Sequence, residues 1–173
     1  NATSVIVDSA ANYTLAGSGG IIGATSLNKS NTGTLTISAL NNSYTGKTTI
    51  AGGTVVVSEL DAVGYPSPLG NPPAGSTNLI LSGSSTLRVT GESYTDRGLT
   101  LNAGQNTLEV FNAADQVTIA GQIIGSGTLR KSGAGTLALN VANTYSGGTI
   151  ISAGSISLGS VAGNQTGVGS GSV

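Results

Sequence analysis

Acid–base and nucleophilic chemistry in this chain would have to come from few residues, because its 173 positions hold no His and no Cys. The acids are Asp8, Glu59, Asp61, Glu92, Asp96, Glu109 and Asp115. A general acid–base pair needs two such groups held close together. Glu59 and Asp61, two apart, would share one face of a strand. Glu92, Asp96 and Arg97 could meet in one corner, in the manner of the acid and basic groups of polysaccharide lyases. Solvated loop charge is the simpler account of both groups, so no catalytic, cofactor-binding or metal-ligating residue is assigned and the chain is read as not an enzyme.

The glycine clusters invite a second chemistry and fail its spacing. Gly17 to Gly20, Gly125 to Gly127 and Gly133 to Gly135 lack the third glycine of a dinucleotide loop, and none opens a helical pattern. A calcium-binding nonapeptide repeat would need Asp after Gly-x-Gly, where Ile or Thr stands here. They read as corners.

The elements that must carry these residues are strands. Large aromatic anchors are scarce at 3% of residues, with no Trp or Met, and 28 glycines would each cost a helix interior roughly 1 kcal/mol. Thr, Val and Ile suit a pleated surface. Short alternating pairs such as Leu35/Ile37, Val55/Val57, Leu87/Val89, Leu108/Val110, Val117/Ile119 and Leu137/Leu139 predict strands with one buried face. A hydrophobic fraction of 38% and a net charge of −1 separate the chain from disordered sequences, and the lack of clustered Lys and Arg excludes nucleic acid and an anionic membrane surface as partners. No apolar run reaches the ~20 residues of a membrane-spanning helix, so no direct membrane insertion is expected.

The chain also repeats itself. Leu27 to Ile37 followed by Asn42 to Gly52 corresponds to Leu129 to Leu139 followed by Asn143 to Gly154, placing Lys29 and Lys131 102 positions apart and Tyr44 and Tyr145 101 apart. Pro68-Leu69-Gly70 is echoed by Gly167-Val168-Gly169. Repeat units over 15–118 and, incompletely, 119–173 follow. Long-period repetition, corner glycines and the lack of tight-hairpin signals predict an all-β, right-handed parallel β-helix (a β-solenoid) of about seven to eight coils, single over 1–173 and without a helix.

Lys131, Gly133-Ala-Gly135-Thr-Leu137 and Asn143-Thr-Tyr145-Ser-Gly147-Gly-Thr149, then Ala153-Gly154, resemble the passenger-associated strand repeat of bacterial autotransporters. The earlier copy departs at its turns, with Asn31-Thr-Gly33 for Gly-x-Gly and Lys47 for the second Gly. The resemblance covers about a third of the chain. It implies a β-helical passenger stalk exported across the outer membrane, with no catalytic residues to carry over, and an extracellular or outer-surface location. The C-terminal membrane barrel of that family is not expected within these residues. Because the chain starts at Asn1 rather than Met, with no signal peptide, a processed or excised piece is expected.

Ser58 to Ser76 holds all four prolines, so this stretch is expected to leave the solenoid as a loop. Glu59, Asp61, Tyr65, Pro66 and Pro68 form the candidate partner contact, to a surface glycan or protein. Tyr44 and Tyr145 are candidate repeat-ladder or surface positions, either stacking sugars or closing a corner, and their Asn neighbours could stack as a ladder. Neither end reads as an amphipathic cap, so self-association through open solenoid ends is expected, as a stalk, spacer or fibre subunit. An adhesin or glycan-binding module is the alternative, and an enzyme acting on polysaccharide comes third.

Overall fold

In the computed structural model the described residues are 2–159 and 168–170, and among them there is no helix. Seventeen short strands follow one another: β1 (Ser4–Asp8), β2 (Tyr13–Leu15), β3 (Ser26–Ser30), β4 (Thr34–Ile37), β5 (Thr48–Ile50), β6 (Thr54–Val57), β7 (Leu79–Leu81), β8 (Thr86–Val89), β9 (Ser93–Thr95), β10 (Leu99–Leu101), β11 (Gln105–Val110), β12 (Gln116–Ile119), β13 (Ile123–Gly125), β14 (Thr128–Ser132), β15 (Thr136–Leu139), β16 (Thr149–Ile151) and β17 (Ser155–Leu158). Every pairing is parallel, between strands one coil apart. Three sheets result, β1-β3-β5-β7-β10-β13, β2-β4-β6-β8-β11-β14-β16 and β9-β12-β15-β17. The chain visits them in fixed rotation, which makes a three-sided β-solenoid of about seven turns.

Alternation does the sorting. Each strand turns every second side chain inward, and parallel register stacks those side chains in columns along the axis. One column runs Leu35, Val55, Leu87, Leu108, and a neighbouring one Ile37, Val57, Val89, Val110. All eight are at most 3% exposed. The outer column is polar, with Thr34, Thr54, Thr86 and Thr107 in line. This is how a chain without large aromatic anchors builds a core.

Paired residues stand 19 to 24 positions apart on all three faces, with one exception. Thr48 pairs with Leu79 and Thr54 with Thr86, 31 and 32 positions on. That one enlarged coil contains the four prolines. It is not a plain excursion, however: Leu60, Ser67 and Leu69 are buried. The Ser67 amide donates to the Asn42 carbonyl at 3.1 Å and the Asn71 amide to the Tyr44 carbonyl at 2.8 Å, returning the segment to the stack.

The two sequence repeats do not lie on the same faces. β3 and β4 belong to the first and second sheets, whereas their counterparts β14 and β15 belong to the second and third. The repeat therefore advances by four coils and one further face. Tyr44 faces the side later occupied by β9, while the Tyr145 segment bonds to β13, with the Thr144 and Ser146 amides donating to the Ile123 and Gly125 carbonyls at 2.9 Å each.

Candidate functional site

Each repeat begins with a lysine in an inward column. Lys29 lies between Val7 and Ile50, and Lys131 between Leu108 and Ile151; they are 1% and 0% exposed. An ammonium held there needs acceptors, and the corner supplies three. Lys29 Nζ donates to the carbonyls of Ser30 (2.7 Å), Asn31 (3.0 Å) and Gly52 (3.4 Å). Lys131 Nζ donates to those of Ser132 (2.7 Å), Gly133 (2.8 Å) and Ala153 (3.1 Å). Burial pulls both lysines below the usual range, and Asp8 and Glu109 respectively oppose it. The glycine of the next coil completes the clasp: Gly53 and Gly154 adopt φ of +64° and +67°, and a Cβ there would lie 2.9 and 2.7 Å from the ammonium. The repeat spacing marked these lysines, but their inward position is decided by strand parity.

The repeated tyrosines are interior too, which corrects their reading as surface or sugar-stacking positions. Tyr44 and Tyr145 are both 0% exposed, and each hydroxyl is 2.6 Å from a threonine hydroxyl, Thr48 or Thr149. Nor do they form a ladder, because they sit on different sides of the solenoid. Each ring is covered by a glycine of the following coil, Gly70 (φ +71°) or Gly169 (φ +77°), where a Cβ would come within 2.8 Å of ring carbons. Burial raises the Tyr44 phenol to about 12, against the opposing pulls of Thr48 and Arg97, and raises Tyr145 as well. The adjacent asparagines bond to backbone rather than to each other: Asn42 Oδ1 accepts from Ile21 N at 2.8 Å and Asn143 Oδ1 from Ile123 N at 2.7 Å. These are stays between coils, not a ladder.

Arg97 is spent on the enlarged coil. Only 7% exposed, it reaches Ser67 Oγ (3.3 Å) and the carbonyls of Leu69 (3.4 Å), Ala62 (3.5 Å) and Tyr65 (3.2 Å). Its Nε has no hydrogen-bond partner and burial lowers its pKa. Asp96 Oδ1 accepts from the Val63 amide at 2.7 Å. Glu92, Asp96 and Arg97 do not form one acid–base corner, and Arg97 is not the solvated loop charge expected for it: Asp96 and Arg97 hold the loop from within, while Glu92 lines the surface. A cation buried against carbonyls cannot steady a developing negative charge on a substrate.

Of the five candidate contact residues, four remain at the surface. Tyr65 is 65% exposed, Pro66 is exposed, and Glu59 and Asp61 are half-buried. Pro68 is not available, being buried with its carbonyl accepting from Asn42 Nδ2 at 3.1 Å. The fold adds two residues from the next coil, Glu92 and Tyr94, so that Glu59, Asp61, Tyr65, Glu92 and Tyr94 line one open groove. Tyr94 is 55% exposed. Partial burial, then the neighbouring Asp61, raises the Glu59 carboxyl above its ordinary range. Bonds between the coils hold the walls together, with Thr95 Oγ1 donating to the Asp61 carbonyl at 2.9 Å and the Leu60 amide to Ser93 Oγ at 3.2 Å. No group of three or more acids able to hold a metal ion occurs among the described residues.

With this geometry in view, comparison with known proteins is direct. The family model described as Passenger-associated-transport-repeat matches residues 27–57 and 129–158. The chain carries two passenger-associated-transport repeats. Each of these repeats is one lysine clasp, one buried tyrosine corner and the strand pairs flanking them. A curated relative, the Adhesin BmaC autotransporter of Brucella suis biovar 1 (strain 1330), is 40% identical over 125 residues, or 72% of this chain. The matched chain spans only 4% of that relative's length. No solved structure gives a significant match.

Proposed function

We propose that this chain is a stiff, non-catalytic structural element, a stalk or spacer, of a passenger displayed on the bacterial surface or released from it. The observation that carries the reading is the stack itself: among the described residues, inward columns made mostly of aliphatic side chains run through successive coils, and the two repeat corners are fastened by bonds from Lys29 and Lys131 to backbone carbonyls. The transport repeats and the adhesin autotransporter relative support an outer-surface setting. An internal swap tests it. Replacing these residues within their passenger by an unrelated β-solenoid of equal coil number should preserve display and reach of whatever lies beyond; loss of display or reach on a matched swap would sink the stalk reading.

The second reading, an adhesive contact, is favoured by the groove between Tyr65 and Tyr94, which a plain spacer does not need. Self-association through the ends is a third component of the proposal. A solenoid strand that carries no further coil leaves an unpaired backbone ladder, which favours stacking of another coil. Negative-stain microscopy over a concentration series should show rods lengthening with concentration; discrete short rods throughout would exclude end-to-end association of this chain.

A further inference from the structure

The groove has two aromatic rims drawn from different coils. Tyr65 comes from the proline segment and Tyr94 from the middle of β9, and both residues are more than half exposed. Glu59, Asp61 and Glu92 line the same groove. None of these three carboxylates makes a hydrogen bond or an ion pair. The one ion pair among the described residues, Arg88 Nε to Glu109 Oε2 at 2.9 Å, belongs to β8 and β11 on another sheet, with the Arg88 guanidinium 5.0 Å from the Phe111 ring centroid. Arg97, buried behind the groove, faces the loop carbonyls and offsets part of the Asp61 charge, leaving Glu59 and Glu92 without a cationic partner. The surface is therefore locally negative on a chain whose net charge is only −1.

We infer that the groove between Tyr65 and Tyr94 docks a basic, extended polypeptide segment of a partner protein, its Lys or Arg side chains lying over the tyrosine rings and pairing with Glu59, Asp61 and Glu92. Charge complementarity selects this occupant. Cation–π contact with an exposed Tyr contributes about 0.5–1 kcal/mol and a guanidinium pairs with carboxylates through two parallel bonds, so one basic side chain uses both kinds of group at once. A basic charge also relieves the mutual repulsion of Glu59 and Asp61, the same repulsion that helps to raise Glu59. Arg97 is the positioning residue, since its bonds to the Ala62 and Tyr65 carbonyls fix the wall that carries Asp61 and Tyr65.

The inference deepens the adhesive reading and leaves the stalk reading independent. Isothermal titration of the whole chain with a hexa-arginine peptide, at low and at physiological ionic strength, tests it. One site per chain is expected. The E59Q/D61N/E92Q variant should weaken binding by about tenfold or more and Y65A/Y94A by roughly fivefold, while D115N, which removes an acid outside the groove, should leave it unchanged. The substituted side chains are not in the core, but Asp61 also supports the buried Arg97, so E59Q/E92Q, which spares Asp61, should melt with the parent while still binding more weakly, separating lost binding from lost fold. Equal weakening by D115N would assign the effect to net charge and overturn the proposal. So would parent-like binding by the triple variant, or tighter binding of a neutral hexasaccharide than of the peptide.

Discussion

A buried ammonium is costly unless its donors are used, and Lys29 uses all three on carbonyls of two successive coils. Lys29→Met keeps the apolar stem and removes the charge, leaving three corner carbonyls short of a donor. A loss of roughly 1–3 kcal/mol in denaturant unfolding is expected, and a variant as stable as the parent would show that the clasp contributes nothing net. Tyr44 carries a second residue-scale prediction, with a sign that can be worked out. Its folded-state phenol titrates at about 12 against an ordinary 10.0, so between those values the native state holds a proton that the unfolded chain releases. Stability should then fall as pH rises from 10 towards 12, by up to roughly tenfold in the folding equilibrium per pH unit. Tyr44→Phe loses the bond to Thr48 yet should reduce this slope, leaving the part that comes from the raised Tyr145 phenol. Parallel alkaline unfolding curves for parent and variant would refute the assignment.

At the scale of elements, Arg97 makes more of the side-chain bonds to the enlarged coil than any other residue, beside those from Asn42, Thr95 and Asp96. Pro66 to Gly70 passes from exposed to buried within a few residues, and Arg97 bridges Ala62, Tyr65, Ser67 and Leu69 across that passage. Arg97→Gln shortens the side chain and removes the fork. It should release the outer part of the loop, raising protease cleavage near residues 62–66 and costing about 2–3 kcal/mol, while the parallel ladders on either side keep their β-sheet circular dichroism. Unchanged cleavage would mean that the buried Leu60 and Leu69 anchor the loop without help.

For the whole molecule, the consequence of the repeat length is rotation. An advance of four coils and one face puts equivalent corners on different sides, at an axial separation of about 21 Å given a strand spacing near 4.8 Å. Spin labels at the exposed equivalents Thr45→Cys and Ser146→Cys should therefore report a distance clearly longer than that axial value. A distance equal to it would place both corners on one side and refute the rotation. In a passenger containing further units of this length, corner loops would point in three directions in turn, so no single side would accumulate them.

Strand alternation, corner glycines and the hundred-residue self-similarity are written in the residue order, and they determine the parallel solenoid because a period of two leaves one set of side chains to be buried and stacking buries them. The transport repeats are legible for the same reason. Direction was not legible. Tyr44, Tyr145 and Pro68 are residue types that occur inside and outside alike, and only the covering coil, with Gly70 over one ring and Gly169 over the other, places them within. Tyr94 was missed, and Glu92 was grouped with Asp96 and Arg97 instead of with the proline segment, because the groove joins residues about thirty positions apart, a separation set by the one coil that is longer than the rest. The sequence states what each coil is made of; which coil lies against which, and therefore which side chains meet, follows from register and corner geometry, and these are properties of the stack.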